Sequence, residues 1–143
     1  MSTIKAAITA VGAYVPDFVL TNKALESMVD TNEEWITSRT GIKERRILKE
    51  EGKGTSFLAI KAAQNLLAKA NVDPLEIDLL IMATATPDMP VASTGAYVAT
   101  EIGATNAFAY DLQAACSSFL FGMSTAAAYI ESGRYKKVLL IGA

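Results

Sequence analysis

The chain has 143 residues, of which 51% are hydrophobic, and its formal net charge at pH 7 is −2. This length and composition allow one ordinary folded domain with a sizeable core and exclude a disordered chain. The largest basic cluster is Lys43-Glu44-Arg45-Arg46, so a nucleic-acid-binding surface has little support, and small-molecule or protein partners are expected.

The N-terminus does not have the charged and apolar regions of a signal peptide, and no apolar stretch reaches the length of a membrane span. We therefore expect a cytoplasmic protein with no membrane partner. The chain contains no histidine and one cysteine, Cys116. A Cys-His pair, a histidine base and a histidine metal site are thus excluded within these residues.

The first predicted elements lie before residue 30. Residues 3–11 form an apolar, β-branched run closed by Gly12, which predicts a buried strand. A short helix is predicted next, with Thr21 or Asn22 as its cap and Met28 as its end.

A capped helix is predicted from the sequence Thr31-Asn32-Glu33-Glu34, which has the form of a capping box between Thr31 and Glu34, and Gly41 ends it. Thr31, Trp35 and Arg39 are spaced by four residues and should share one helix face. Trp35 can stack on a planar base and Arg39 can bind phosphate, a combination suited to a nucleotide-bearing ligand. The alternative is a half-buried tryptophan beside a solvated arginine.

The rest of the chain alternates strands with helices. The predicted elements are a short strand over 43–48, a helix over 56–70, a helical turn from Asp73, a strand over 79–85, a helix over 93–102, a strand over 107–112, a helix over 117–132 and a strand over 138–141. The βαβαβαβ order predicts an α/β fold with a parallel sheet. Because the helix over 117–132 has almost no polar face, we expect it to be buried on all sides.

Cys116 lies where a short apolar strand gives way to this long helix. Unpaired N–H groups at the start of a helix favour a thiolate, and a sharp strand-to-helix turn can expose one reactive atom beside backbone donors for an oxyanion. Both features indicate a nucleophile. The alternative is an inert cysteine packed in the core.

Three segments carry a family resemblance: 30–42, 83–88 and 114–116. In order and spacing they resemble β-ketoacyl-acyl carrier protein synthase III, a condensing enzyme of the thiolase superfamily. The resemblance implies an α/β, thiolase-like fold of αβαβα layers. Residues 1–143 would be its N-terminal half-domain, the first βαβαβαβ half, with the C-terminal half absent; the unfinished last strand agrees with that expectation.

The resemblance implies the initiating condensation of bacterial type II fatty-acid synthesis. Cys116 would take an acetyl or branched-chain acyl group from acyl-CoA, and malonyl-acyl carrier protein would then lose carbon dioxide and attack the thioester. The backbone N–H of Cys116 would be one oxyanion donor. The histidine and asparagine that assist decarboxylation belong to the family's second half. We expect a homodimer without cofactor or metal, since acyl-CoA is a substrate.

The resemblance also assigns a coenzyme A face to Thr31, Trp35 and Arg39. Thr40 is a weaker candidate for this face and is equally explained as a hydroxyl at the helix C-terminus.

Two departures from the family pattern stand out. Ser117-Ser118 follows Cys116 where Ala-Gly or Ser-Gly is frequent, and we expect little functional effect. Val91 stands where many relatives have phenylalanine, at a loop position that resembles one reaching across the dimer to close the acyl pocket. A smaller side chain there favours primers bulkier than acetyl, unless the substitution is neutral.

Two other interpretations remain open at this stage. The chain could be a non-catalytic core or dimerisation fragment, since without histidine it should acylate Cys116 at most and not condense. It could also belong to another condensing enzyme of the thiolase superfamily, for example one that makes a secondary metabolite.

Overall fold

The computed structural model describes residues 4–143, so Thr3, the first residue of the predicted strand 3–11, lies outside the described residues. The chain forms two compact units. The smaller unit spans residues 15–53, and the larger unit combines the segment up to Tyr14 with residues 54–143.

The smaller unit contains a two-stranded antiparallel ladder and two short helices. Its elements are β1 (Val19–Thr21), α1 (Asn22–Glu26), α2 (Glu33–Thr40) and β2 (Glu44–Arg46). β1 pairs with β2, with Val19 opposite Arg46. The Thr21 hydroxyl accepts the Ala24 N–H, which selects Thr21 as the cap of α1. β1 was not predicted, because three residues are too few to show an alternating pattern.

Helix α2 starts one residue later than a Thr31 capping box requires. Asn32 is the cap, and its Oδ1 accepts the Trp35 N–H at 2.8 Å. The predicted capping box between Thr31 and Glu34 is therefore wrong. Asparagine is preferred over threonine at the N-cap position, which agrees with the observed cap. Gly41 ends the helix with φ of 70°, as predicted, because glycine adopts the left-handed conformation without a Cβ penalty.

The larger unit is built on a parallel sheet. Its elements are α3 (Thr55–Ala70), a 3₁₀ turn (Pro74–Glu76), β3 (Leu79–Ala83), α4 (Thr94–Glu101), β4 (Phe108–Leu112), α5 (Ser118–Glu131) and β5 (Val138–Gly142). The strand order is β4-β3-β5, and both pairs run parallel. All five residues of β3 are buried. The predicted α/β class and parallel sheet are confirmed.

The core of the larger unit lies between the sheet and the pair α3 and α4. Alanines and aliphatic side chains from both helices pack there against alternate residues of β3 and β5, among them Ala59, Ala63, Leu67, Val98, Leu80, Met82, Leu139 and Ile141. Because successive side chains of a strand point to opposite faces, the buried Leu79 and Ile81 lie on the other face of the sheet, where α5 packs. The continuous apolar run of β3 is thus explained by cover on both faces.

The predicted strand over 3–11 is wrong for the described residues 4–11. They join no ladder, and the side chains of Ile8 and Val11 are 75% and 66% exposed. Instead the segment is tied to α3, where Lys69 Nζ donates to the Val11 carbonyl. An apolar, β-branched run becomes a strand only when a neighbouring strand supplies hydrogen-bond partners, and none of the described strands does so.

The prediction that the helix after Cys116 is buried on all sides is also wrong for the described chain. Only Ser118 and Gly122 of α5 are buried. At Gly122 the helix approaches β5 so closely that a Cβ would lie 2.5 Å from Leu140 Cδ1. Large apolar side chains on the other faces are exposed, namely Phe119, Leu120, Phe121 and Met123. The sheet covers one narrow stripe of the helix, and no second layer of described residues covers the rest.

Asp78 joins the starts of β3 and β5 and gives the fold a pH-dependent contact. Its Oδ2 accepts the backbone N–H groups of Lys136 and Lys137 at 2.8 and 2.9 Å. These hydrogen bonds lower the pKa of Asp78, and the one from the Lys137 N–H has the largest effect. A carboxyl with a lowered pKa stabilises the folded state above its unfolded pKa, and this stabilisation disappears as the pH falls through the folded pKa.

We therefore expect Asp78→Asn to reduce the free energy of unfolding at neutral pH, and the difference from wild type to shrink as the pH falls below about 4. Urea unfolding across this pH range is the measurement. Asp17→Asn is the control, because the Asp17 carboxylate makes no hydrogen bond within residues 4–143. A difference that does not depend on pH would contradict this account of Asp78.

Candidate active site

Cys116 lies at a turn between β4 and α5, as the sequence predicts. Strand β4 ends at Leu112, a 3₁₀ turn covers Ala115–Ser117, and α5 begins at Ser118. The thiol is free and exposed, which removes the alternative of a cysteine packed in the core. Ser117, the residue before α5, gives no side-chain hydrogen bond to the first turn. The Ser117 and Ser118 N–H groups donate to the Ala114 and Ala115 carbonyls within the turn.

The residue before the cysteine has an unfavourable backbone conformation. Ala115 has φ of 47°, in the left-handed region that residues with a Cβ rarely adopt. This conformation costs about 1–2 kcal/mol for an L-residue other than glycine. Such strain persists only where the surrounding contacts enforce it, and it is concentrated at functional sites. Alanine gives no sequence signal for this geometry, so the sequence analysis missed it.

Asp88 anchors the loop that follows β3. Its carboxylate accepts the Ser56 N–H at the start of α3, with distances of 3.1 and 3.3 Å to its two oxygens. Gly54, the capping residue just before this helix, has no side chain to accept that N–H. The Asp88 N–H donates to Thr94 Oγ1 at 3.0 Å. The loop is held in this way while Val91 at its tip is 97% exposed, and its role in an acyl pocket stays a prediction.

Asp111 holds the other end of the same loop. Its Oδ1 accepts the Gly95 N–H at 2.7 Å and the Ser93 hydroxyl at 2.9 Å. Its Oδ2 accepts the Thr94 N–H at 2.9 Å. A carboxylate at a helix N-terminus satisfies free N–H groups and interacts favourably with the helix dipole. Neither role could be predicted from the local sequence, because each aspartate caps a helix from a different part of the chain.

Two of the residues predicted for a coenzyme A face, Trp35 and Arg39, lie together in the smaller unit. Arg39 Cζ lies 4.6 Å from the centroid of the Trp35 ring, and the tryptophan side chain is half exposed. Thr31 precedes α2 and so does not share its face. Its Oγ1 is buried without a hydrogen-bond partner among the described residues. The structure thus brings Trp35 and Arg39 together on a helix and places Thr31 outside it.

Among residues 4–143, the Thr40 side chain hydrogen-bonds only to neighbouring backbone groups. Its hydroxyl donates to the Ile36 carbonyl at 2.7 Å and accepts the Ile42 N–H at 3.1 Å. These are the bonds that the interpretation as a C-terminal helix hydroxyl requires. The role of Thr40 in coenzyme A binding stays a prediction.

Asn22 fixes the inner side of α2, which the sequence analysis did not identify. The buried amide donates to the Ile42 carbonyl at 2.8 Å and to Thr37 Oγ1 at 3.3 Å, and its oxygen accepts from Arg45 Nη1 at 2.7 Å. Thr37 is two residues from Trp35 and Arg39, so it lies on the opposite side of the helix. These bonds leave Trp35 and Arg39 on the outer side.

Known proteins are similar in sequence to this chain along the whole of its length. The β-ketoacyl-[acyl-carrier-protein] synthase III 2 of Bacteroides thetaiotaomicron is 54% identical over 143 residues, which are 100% of this chain and 43% of the relative. The chain belongs to the β-ketoacyl-[acyl-carrier-protein] synthase III family. It spans less than half the length of the curated relatives it matches. The family model described as 3-oxoacyl-[acyl-carrier-protein] synthase III matches residues 110–143, which include Cys116.

Solved structures support the same fold. The 3-oxoacyl-[acyl-carrier-protein] synthase III of Aquifex aeolicus is 46% identical with a TM-score of 0.91, over 98% of this chain and 44% of that chain. A priming β-ketosynthase of the R1128 polyketide biosynthetic pathway is 38% identical with a TM-score of 0.87, over 93% of this chain and 40% of that chain. The thiolase-like α/β fold predicted from the resemblance is confirmed. Among the described residues, no helix is both long and apolar enough to span a membrane.

Proposed function

We propose that this synthase III chain is the N-terminal half, residues 1–143, of an enzyme that initiates bacterial type II fatty-acid synthesis. The observation that carries this proposal is the exposed Cys116 on a strained turn before α5, in a chain whose relatives bear the name of this enzyme. An exposed sulfur at the start of a helix is a setting in which a cysteine acts as a nucleophile.

In the first half-reaction, the Cys116 thiolate attacks the thioester carbonyl carbon of an acyl-CoA. A carbon–sulfur bond to Cys116 forms, and the bond to coenzyme A sulfur breaks, so coenzyme A leaves as its thiolate and takes up a proton. The negative charge that develops on the carbonyl oxygen needs a fixed donor, and the Cys116 N–H supplies one. The product is an acyl group held as a thioester on Cys116.

In the second half-reaction, malonyl-acyl carrier protein loses carbon dioxide and the resulting enolate attacks this thioester. A carbon–carbon bond forms, the carbon–sulfur bond to Cys116 breaks, and the thiolate is regenerated as β-ketoacyl-acyl carrier protein leaves. This chain has no histidine to assist decarboxylation. We assign that assistance to the second half of the enzyme.

Trp35 and Arg39 form the proposed face for the nucleotide end of coenzyme A, to which the family resemblance adds Thr31. A half-exposed ring with a guanidinium over it offers an aromatic surface for the base and a cation for phosphate. The full enzyme is proposed to be a cytoplasmic homodimer that uses acyl-CoA as substrate and no cofactor, with no nucleic-acid or membrane partner.

A second candidate is a priming condensing enzyme of secondary metabolism, which the similarity to the polyketide priming synthase favours. It would load Cys116 in the same way but use another acyl carrier protein. Product formation with the carrier protein of fatty-acid synthesis separates the two candidates.

The full-length protein should convert acetyl-CoA and malonyl-acyl carrier protein into acetoacetyl-acyl carrier protein. Cys116→Ala should lower this rate by at least about a thousandfold, because it removes the atom that holds the acyl group. Chromatography of the carrier-protein product measures this. Residues 1–143 alone should give no sustained product, and sustained product from them, or from Cys116→Ala, would overturn the assignment.

For the coenzyme A face, Trp35→Ala and Arg39→Ala should each raise the KM for acetyl-CoA by about tenfold and leave kcat unchanged, because they remove binding that does not change in the transition state. Acetyl-pantetheine, which has no nucleotide, should be used equally by variants and wild type. Lys43→Ala is the control, because it also removes an exposed cation from the smaller unit and should leave the KM unchanged. Equal losses with both substrates would contradict nucleotide binding.

Val91 is proposed to line the acyl pocket of the partner subunit. Wild type should then accept isobutyryl-CoA at least as well as acetyl-CoA, and Val91→Phe should shift the kcat/KM ratio towards acetyl by about tenfold, because one or two buried methylene groups change binding by about that amount. Met89→Phe, on the same exposed loop, should leave the ratio unchanged. A strong acetyl preference of the wild type would rule out the enlarged pocket.

A further inference from the structure

Ser118 makes two hydrogen bonds that close around the strained residue Ala115. Its side chain is buried, with 3% of the residue exposed. The hydroxyl oxygen accepts the Ala114 N–H at 2.6 Å, and the hydroxyl donates to the Ala115 carbonyl at 2.8 Å. One side chain thus binds the backbone on both sides of the residue with φ of 47°. A serine hydroxyl is well suited to this, because it donates and accepts at once.

This geometry differs from that of an ordinary helix cap. A capping serine accepts from an N–H two or three residues further along the chain. The Ser118 hydroxyl instead bonds backward, to the turn that precedes its own helix, and Ser117 at the capping position makes no such bond. The buried Ser118 side chain, with both hydrogen bonds made, therefore stabilises the turn and not the start of α5.

We propose that Ser118 is a positioning residue that holds Ala115 in the left-handed conformation and thereby sets the orientation of Cys116. An unfavourable backbone conformation needs contacts that enforce it, and the two Ser118 bonds are the side-chain contacts that do so here. Because Cys116 directly follows Ala115, the direction of its N–H and its sulfur depends on the Ala115 backbone. The inference rests on the proposed acylation of Cys116 and replaces the expectation that serine at this position has little effect.

The role predicts a specific pattern of reactivity. Acylation needs the sulfur and an oxyanion donor in fixed positions, and a displacement of about 1 Å can cost about a hundredfold in rate. Alkylation by iodoacetamide needs only an exposed sulfur. Loss of the Ser118 hydroxyl should thus slow acylation while alkylation continues. A loss of sulfur exposure would lower both rates together, and the Tm of each variant shows whether it is folded.

The test compares four forms of the full-length protein: wild type, Ser118→Ala, Ser117→Ala, and Ser118→Ala combined with Ala115→Gly. Single-turnover acetylation by acetyl-CoA should fall about tenfold to a hundredfold in Ser118→Ala, with iodoacetamide alkylation within about twofold of wild type. Ser117→Ala, which loses an exposed hydroxyl from the same turn, should behave as wild type. Ala115→Gly should restore part of the rate, because glycine adopts a positive φ without the help of Ser118.

Hydrogen exchange of the Ala114 amide tests the contact without any activity. Its protection should fall in Ser118→Ala and persist in Ser117→Ala. The proposal would be overturned if Ser118→Ala kept the Ala114 protection of wild type, or if it were acetylated at the wild-type rate. It would also be overturned if Ser118→Ala lost acetylation and alkylation in parallel. If wild type is not acetylated by acyl-CoA, the proposed function fails. Two measurements then still decide whether Ser118 holds the turn: hydrogen exchange of the Ala114 amide, and whether Ala115→Gly restores the Tm that Ser118→Ala loses.

Discussion

Strand β3 is hydrogen-bonded on both sides to strands that run parallel to it, and the rest of the larger unit depends on that pairing. Parallel neighbours require helical crossovers, which α4 and α5 provide. Parallel strands also end at the same edge, where the Thr84 N–H donates to the Leu112 carbonyl. The Val91 loop and the Cys116 turn therefore begin side by side, at the edge where α/β proteins place their ligands.

The elements whose own residues determine their contacts could be predicted from the sequence. The continuous apolar run of β3 predicted a strand covered on both faces, and α3 has the periodicity of an amphipathic helix. Gly41 predicted the end of α2, because glycine readily adopts the conformation required there. The change from a short apolar run to a long helix located Cys116 at the turn, and the four-residue spacing predicted that Trp35 and Arg39 share one helix face.

Features that depend on partners distant in sequence could not be predicted in this way. Residues 4–11 are apolar but have no neighbouring strand, and α5 has more apolar surface than the sheet can cover. The caps supplied by Asp88 and Asp111 join elements far apart in the chain. Nothing in the side chain of Ala115 indicates its left-handed backbone, since the contact that accompanies it comes from Ser118.

The central claim is that the strained turn presents Cys116 as the carrier of the acyl group. Mass spectrometry of peptides after brief exposure of the full-length protein to acetyl-CoA tests it directly. The account predicts one acetyl group, on the Cys116 peptide, which hydroxylamine removes because it is a thioester. Absence of an adduct, or a stable adduct on another residue, would contradict the account.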